Sequence, residues 1–393
     1  MKVLIIHNYH RDRGGEARAL EEQREALESK GHEVCLYTRD NWEISDSRIK
    51  QFRELGINMF FSVKTYKEVL NLVQNFCPDV VHIHNIFPLL SPSVYYAVKK
   101  FNIPLVQTLH NYRMGCPNGL FLDSQGEVCE KCLSGNFFHA VWRKCVHGRL
   151  TQSLALSLCL SIHRMAQTFD KADVFLCPSH FLAQKMIRAG IPKKKIRVKP
   201  HFIDTQMLCP SHTYEPYAVY MGRLSREKGI YTLLRVFKKR KDIGLKIIGK
   251  GPLLSEVKSF ILKNNLSHIE CLGYIPSEER FEKVRKAAFM VFPCLCRENF
   301  PYVLIESLAL GVPVIASHTG GVSEIIEDSQ NGFLFSPGSE KEINVHMESL
   351  LNDPLLLQRM RKKARKKAER CFSRNKGYQE LLNIYTTLVR GFG

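Results

Sequence analysis

Residues 288–335 read AFMVFPCLCRENFPYVLIESLALGVPVIASHTGGVSEIIEDSQNGFLF, and no other stretch limits the fold so tightly. Ala288–Pro293 is a short apolar run, the composition of a strand buried on both faces. A polar loop follows, then a helix over Tyr302–Leu310. Pro301 sits where that helix begins, and a first helical turn tolerates its missing N–H. Gly311 stops the helix. Val312–Ala316 reads as a second strand, Val322–Glu327 as a short helix and Phe333–Phe335 as a third strand. Open α/β sheets carry ligands on the loops at the carboxyl ends of their strands, and two such loops follow in succession here. One delivers Glu298 just ahead of a helix N-terminus, with Glu306 inside the helix. The other delivers Gly320 and Gly321, which let backbone amides approach a ligand closely.

Two carboxylates at the spacing of Glu298 and Glu306 can each accept hydrogen bonds from a vicinal diol. The helix N-terminus between them favours phosphate. A nucleotide-sugar presents both features: ribose diol, diphosphate and sugar hydroxyls. Cys294 and Cys296 bracket Leu295 in the same loop and read as reduced bystanders.

A second charged motif lies in AVYMGRLSREKGI, residues 218–230. Strand Ala218–Met221 leads to Gly222 and Arg223, then to Lys228 and Gly229 ahead of a helix. Arginine offers a rigid fork for phosphate oxygens and lysine a compact positive charge. Together they can neutralise a diphosphate without a metal. LKIIGKGPL (245–253) adds a strand entering a turn with Gly249 and Gly251, and HIECLGYI (268–275) another strand ending at Tyr274 and Ile275.

RENFPYVLIESLALGVPVIASHTGGVSEII and G-R-L-x-x-x-K-G together resemble the glycosyltransferase family 4 signature, whose E-x7-E motif marks retaining GT-B enzymes. The resemblance covers nearly the whole chain and is strongest from 218 to 335. It implies two Rossmann-like α/β domains facing a cleft: an acceptor-binding domain over 1–205 and a nucleotide-sugar domain over 206–372. A last helix, 373–393, is expected to cross back onto the first. It also implies a retaining hexosyltransferase using a UDP- or GDP-sugar, with a saccharide or lipid-linked saccharide acceptor in surface polysaccharide assembly. Arg223 and Lys228 would stabilise the departing phosphate, Glu298 would hold the donor sugar and Glu306 the ribose. Gly249, Gly251, Val303, Tyr274 and Ile275 would line the nucleotide. No cofactor is expected for catalysis. The alternatives are another GT-B sugar-nucleotide enzyme, an epimerase or a phosphorylase-like hydrolase, and a basic zinc-containing nucleic-acid binder. The scatter of basic residues and the absence of a recognised module argue against nucleic acid.

The first half reads in the same terms. MKVLIIH is a first strand, and a loop ending at Gly14-Gly15 precedes a helix over Glu16–Lys30 and a strand over Glu33–Thr38. Strand, glycine loop and helix N-terminus make an anion site; in the family such a loop faces the donor phosphates and the acceptor. Strands over 79–85 and 103–110 end in His82, His84, Asn85 and His110. Histidines at strand ends are often plain structural donors, which suits His82. His110 matches the family's histidine near the reacting sugar. Ser179 and His180 end the next strand, and Asp204 lies in a hinge with Pro200, Pro210 and Pro216.

Residues 112–170 are too long for an ordinary connection. Cys116, Cys129, Cys132 and Cys145 within them have the donor set of a closed structural zinc site, or are unpaired thiols in a reduced loop. A helix follows over 148–168 with Leu154, Leu158, Ile162 and Met165 at helical spacing. A core-facing stripe is the commoner reading. Arg143, Lys144, Arg149 and Arg164 beside it allow an anionic bilayer surface instead.

A net charge of +19 favours anionic partners. With no evident signal peptide and no apolar run near the ~20 residues of a membrane span, the 13 cysteines suit a reducing cytosol. The expected location is therefore cytoplasmic, peripheral at most on the inner face of the plasma membrane. The run Arg359–Arg370, with eight basic residues and Glu369, reads as a solvated helix.

Overall fold

The structure is a computed structural model that describes residues 1–44, 56–211 and 213–392. It divides into two compact units, Met1–His201 with Gly377–Gly393, and Phe202–Lys376. Each is built on a six-stranded sheet in which every pairing is parallel.

The first sheet comprises β1 (Lys2–Tyr9), β2 (Glu33–Asp40), β3 (Val80–Ile83), β4 (Leu105–Thr108), β5 (Val174–Cys177) and β6 (Ile196–Val198), in the order β2-β1-β3-β4-β5-β6. Val3, Leu4, Ile5 and Ile6 are wholly buried. Parallel strands covered on both faces leave no polar side to mark, which is why these runs are continuously apolar. The order reverses between β1 and β3, so the loops after these two strands open a crevice at the sheet's carboxyl edge.

The chain's last helix, Arg374–Phe392, supplies Gly377 onward to this same unit. Its anchors are Leu381 and Tyr385, both fully buried. The Tyr385 hydroxyl lies 2.5 Å from His82 Nδ1 and accepts from Gln23 Nε2 at 3.0 Å. His82 Nε2 reaches Thr108 Oγ1 at 2.8 Å. His82 is therefore a structural residue that ties β3, β4 and the terminal helix together.

The second sheet comprises β7 (Glu215–Met221), β8 (Gly244–Ile248), β9 (Ile269–Gly273), β10 (Ala287–Phe292), β11 (Val314–Ser317) and β12 (Gly332–Phe335). Its order is β12-β11-β10-β7-β8-β9. Counted along the chain from the other edge this is 3-2-1-4-5-6, the dinucleotide-binding order. The crevice of such a sheet lies between β7 and β10.

Three expectations change. The units part at His201/Phe202 and at Lys376/Gly377 rather than at 205/206 and 372/373. The segment after Phe202 belongs to the second unit because Ile203 pairs with Ser373 and Arg365 Nη2 donates to Thr205 O at 2.8 Å. The same arginine shows that the basic run is not simply solvated. Arg361 is buried within it and donates to Ala287 O at 2.7 Å and Arg285 O at 2.9 Å, closing the entry to β10. Finally, the helix Leu150–Met165 turns its long apolar stripe outward. It buries Ser153, Leu156, Ser157, Cys159, Leu160 and His163, and exposes Leu150, Leu154, Leu158, Ile162 and Met165. Both faces carry leucine, and the small residues on the buried one permit the close approach.

Replacing Tyr385 by Phe takes one hydrogen bond each from buried His82 and Gln23, which keep their mutual contact at 2.8 Å. The expected loss is about 1–3 kcal/mol of unfolding free energy, read by denaturant titration of the full chain. An unchanged midpoint would mean that Leu381 packing alone seats the helix.

Candidate functional site

The strand-end loops of the second unit are pinned to one another by backbone, and that pinning sets the charged residues. Gly229 has φ +72°, and a Cβ there would stand 1.8 Å from Pro293 O. Only glycine lets the loop after β7 rest on the end of β10. Leu295 N donates to Glu227 O at 2.8 Å across the same junction. The loop after β11 closes from the other side. Gly320, at φ +59°, would place a Cβ 1.9 Å from Glu298 O, and Gly321 N donates to that oxygen at 2.8 Å. Thr319 Oγ1 holds Cys296 O at 2.9 Å.

Lys228 and Glu298 meet at this junction as a hydrogen-bonded ion pair. Burial works against the Lys228 ammonium. Glu298, with Cys294 and Cys296, more than offsets it and holds the amine's pKa well above the ordinary lysine range. Glu306, on the helix Tyr302–Ala309, is buried and accepts from Arg280 Nη2 at 3.3 Å. Arg223 is exposed just after β7, its carbonyl held by Tyr220 Oη at 2.8 Å. Val303 lies in the first turn of the Glu306 helix. Gly249 and Gly251 sit where the loop after β8 packs on the loop after β7, with Leu224 N donating to Lys250 O at 3.0 Å. Tyr274 is exposed beyond β9 and Ile275 half-buried.

Sequence reasoning passed over Cys294 and Cys296. They are not bystanders: Cys294 Sγ lies 3.1 Å from Glu298 Oε1 and 3.3 Å from Cys296 Sγ. Burial, the neighbouring thiol and Glu298 push the Cys294 thiol far up, with Lys228 opposing. The C-x-C spacing one residue short of Glu298 was the available signal.

The first unit gathers imidazoles at its own crevice. His82 and His84 stack at 4.5 Å between centroids, His84 and His110 at 5.1 Å, and His110 and His201 at 5.2 Å. His84 Nδ1 and His110 Nε2 are 2.9 Å apart, while His84 Nε2 and both ring nitrogens of His7 are buried without a hydrogen-bond partner. Burial, followed by neighbouring cationic groups, lowers His7 and His110 to about 3. It takes His82, His84 and His201 well below the ordinary range. Neutral imidazoles donate and accept at once, which suits hydroxyl groups better than phosphate. Glu16, in the first turn of the helix Gly15–Glu28, is pushed up to about 7 by burial, with Arg113 and Asn85 opposing. His10 Nε2 is 3.4 Å from it. Gly14 and Gly15 are exposed at that helix N-terminus, with open space around Gly14. Asn85 Nδ2 donates to Asn8 O at 2.9 Å, and Ser179 caps the helix His180–Arg188.

In the insert, burial and then the nearby Cys116 thiol raise Cys132 to about 12 and Cys145 to about 11. The four thiols thus share a neighbourhood. Among the described residues, however, the His, Cys, Asp and Glu ligand atoms that gather within 4.8 Å of one another are those of Cys294, Cys296 and Glu298.

The depressed histidines make the first unit acid-labile. Unfolded histidine takes up protons below about 6.5, whereas the folded rings stay neutral down to about 3 for His7 and His110. The contribution of these rings is therefore complete above about pH 6.5 and falls as pH drops below it, while Glu16, raised to about 7, pulls the other way between about 4.5 and 7. Each such ring contributes roughly 1.4 kcal/mol per pH unit. Hydrogen exchange across residues 1–201 between pH 7.5 and 5 should show the loss, and His7→Gln should make it shallower by one ring's share.

The profile described as Glycosyltransferase Family 4 matches residues 13–207, and that described as Glycosyl transferases group 1 matches residues 210–367. An uncharacterized glycosyltransferase of Methanocaldococcus jannaschii is 26% identical over 363 residues, 90% of this chain and 89% of that protein. The putative colanic acid biosynthesis glycosyltransferase WcaL of Escherichia coli is 24% identical over 56% of this chain and 58% of its own length. Among solved structures, Anabaena HepE in complex with UDP superposes with a TM-score of 0.71 at 16% identity, covering 98% of this chain and 100% of that one. The last likeness is one of fold.

Proposed function

The chain belongs to the GT-B glycosyltransferases, its first half matching family 4 and its second group 1, and from that membership we propose a retaining sugar transfer. The donor is a UDP- or GDP-sugar and the acceptor a saccharide or lipid-linked saccharide of surface polysaccharide assembly. The Lys228–Glu298 pair at the β7/β10 crevice carries the reading. UDP in the HepE structure and the colanic acid relative support the donor and the setting.

In the reaction the bond from the anomeric carbon to the β-phosphate oxygen breaks and one to the acceptor oxygen forms. The acceptor's proton leaves toward the departing phosphate. Lys228 and Arg223 stabilise the charge that builds there. Freed from Lys228 as the phosphate arrives, Glu298 takes the sugar hydroxyls and orients the ring. Glu306 holds the ribose diol. Val303, Gly249, Gly251, Tyr274 and Ile275 line the nucleotide. In the first unit His110 offers a substrate hydroxyl a neutral donor and acceptor, and the amides at Gly14 and Gly15 offer an anion a helix N-terminus.

Lys228→Ala and Glu306→Gln should each lower turnover by about 10²-fold or more, with circular dichroism near that of the parent. A near-parental rate in either removes the assigned role. A thermal-shift panel of UDP-, GDP- and ADP-sugars identifies the donor, because a bound ligand raises the melting point by mass action.

The insert favours a lipid-linked acceptor. Trp142 is 83% exposed and Met165 78%, and Phe138, Leu150, Leu154, Leu158 and Ile162 continue the apolar ridge between them. Beside Trp142 lies an open hollow of about 500 Å³ lined by Lys131, His139, Lys144 and the Asp123–Arg143 ion pair, a net positive set. Apolar ridge and basic hollow together match the interface of an anionic bilayer. Among the described residues no helix is long and apolar enough to cross one. Vesicles of phosphatidylglycerol should pellet the protein at low salt, and Trp142→Ala with Leu158→Glu should abolish this. Equal pelleting of that double variant would count against the ridge.

A further inference from the structure

We propose that Cys294, Cys296 and Glu298 form a binding site for a thiophilic divalent cation such as zinc, and that its occupation shuts the donor crevice. The second clause rests on the sugar-transfer reading above; the first does not.

The three ligand atoms are already close to a coordination shell. Cys294 Sγ and Cys296 Sγ are 3.3 Å apart, and Glu298 Oε1 is 3.1 Å from the first and 3.9 Å from the second. Tetrahedral zinc, with Zn–S about 2.3 Å and Zn–O about 2.1 Å, requires donor separations of about 3.5–3.8 Å. Each separation therefore changes by a few tenths of an ångström. Both thiols are buried, while the carboxylate is 12% exposed and the neighbouring lysine 26%, leaving a path from solvent and a position for a water. The backbone is fixed as well, through Leu295 N on Glu227 O and Thr319 Oγ1 on Cys296 O.

Charge balance favours the exchange. Without metal the cluster is two neutral thiols and one Lys228–Glu298 ion pair, net zero. Zinc binding releases two thiol protons, and two thiolates, one carboxylate, one dication and one ammonium again sum to zero. Burying net charge is costly, and here none is added. Glu298 then spends its lone pairs on metal, and Lys228 faces a thiolate-bound cation instead of a free carboxylate. Neither is left to meet a nucleotide-sugar.

The probe is cadmium or cobalt, whose thiolate complexes absorb in the ultraviolet or visible. Titrated into the reduced full chain, cadmium should give a thiolate band with release of two protons for this site. The double variant Cys294→Ser/Cys296→Ser should bind one equivalent fewer, with a correspondingly smaller band. Cys129→Ser/Cys132→Ser should keep that equivalent. Equal stoichiometry in the parent and the Cys294/Cys296 variant would overturn the site, as would its loss in the insert variant. For the second clause, zinc should suppress the UDP-sugar thermal shift of the parent, reversibly with EDTA, and leave that of the Cys294/Cys296 variant in place. A band that depends on the pair, with the donor shift unaffected by zinc, would overturn the blocking claim alone. Absence of any nucleotide-sugar shift, with the pair-dependent band intact, would instead count against the transfer reading.

Discussion

One ion pair organises the second unit. Lys228 and Glu298 come from loops 70 residues apart in sequence; a single 3-10 turn over Arg226–Lys228 is the regular structure beside the first, and the segment around Glu298 has none. The geometry comes from backbone pressed on backbone, at Gly229 against Pro293 and at Gly320 against Glu298. Truncating either charge leaves the other, still partly exposed to solvent, without its partner at the junction. Glycine at these two positions and opposite charge at the other two are therefore parts of one requirement. The switch between β7 and β10 provides the space, because the helices leaving the two strands diverge on opposite faces of the sheet.

The two units meet their chemical demands differently. The second holds fixed charges, Lys228, Glu298, Arg280 and Glu306, arranged so that each has an opposite neighbour. The first holds rings that burial keeps uncharged, together with a carboxyl, Glu16, that burial raises to about 7. A charged set suits a diphosphate and its ribose. An uncharged set of donors and acceptors suits a polyol. That division of labour is the one the proposed sugar transfer calls for.

Much of this was readable from residues alone, for identifiable reasons. Continuous apolar runs such as Ala287–Phe292 and Val314–Ser317 reported strands buried on both faces, and glycines at the loop ends reported close approach. His82 read correctly as a structural donor. What stayed hidden were relations between distant residues. The partner of Glu306, Arg280, lies on a different helix. The outward face of Leu150–Met165 was concealed because leucine occupies both sides, so spacing alone gave no preferred direction. Arg361 and Arg365 looked like members of a solvated run, since nothing in a string of basic residues shows which ones reach buried carbonyls.

The placement of the final helix bears on how the protein is made. Emerging from the ribosome amino end first, the opening sheet has every strand in hand long before Tyr385 appears. Until then His82 Nδ1 and Gln23 Nε2 lack the Tyr385 hydroxyl, and the site that Leu381 fills stays wet. The first unit to be started is thus completed only after the second has been made, and a chain cut short before Tyr385 carries the damage in its amino-terminal half.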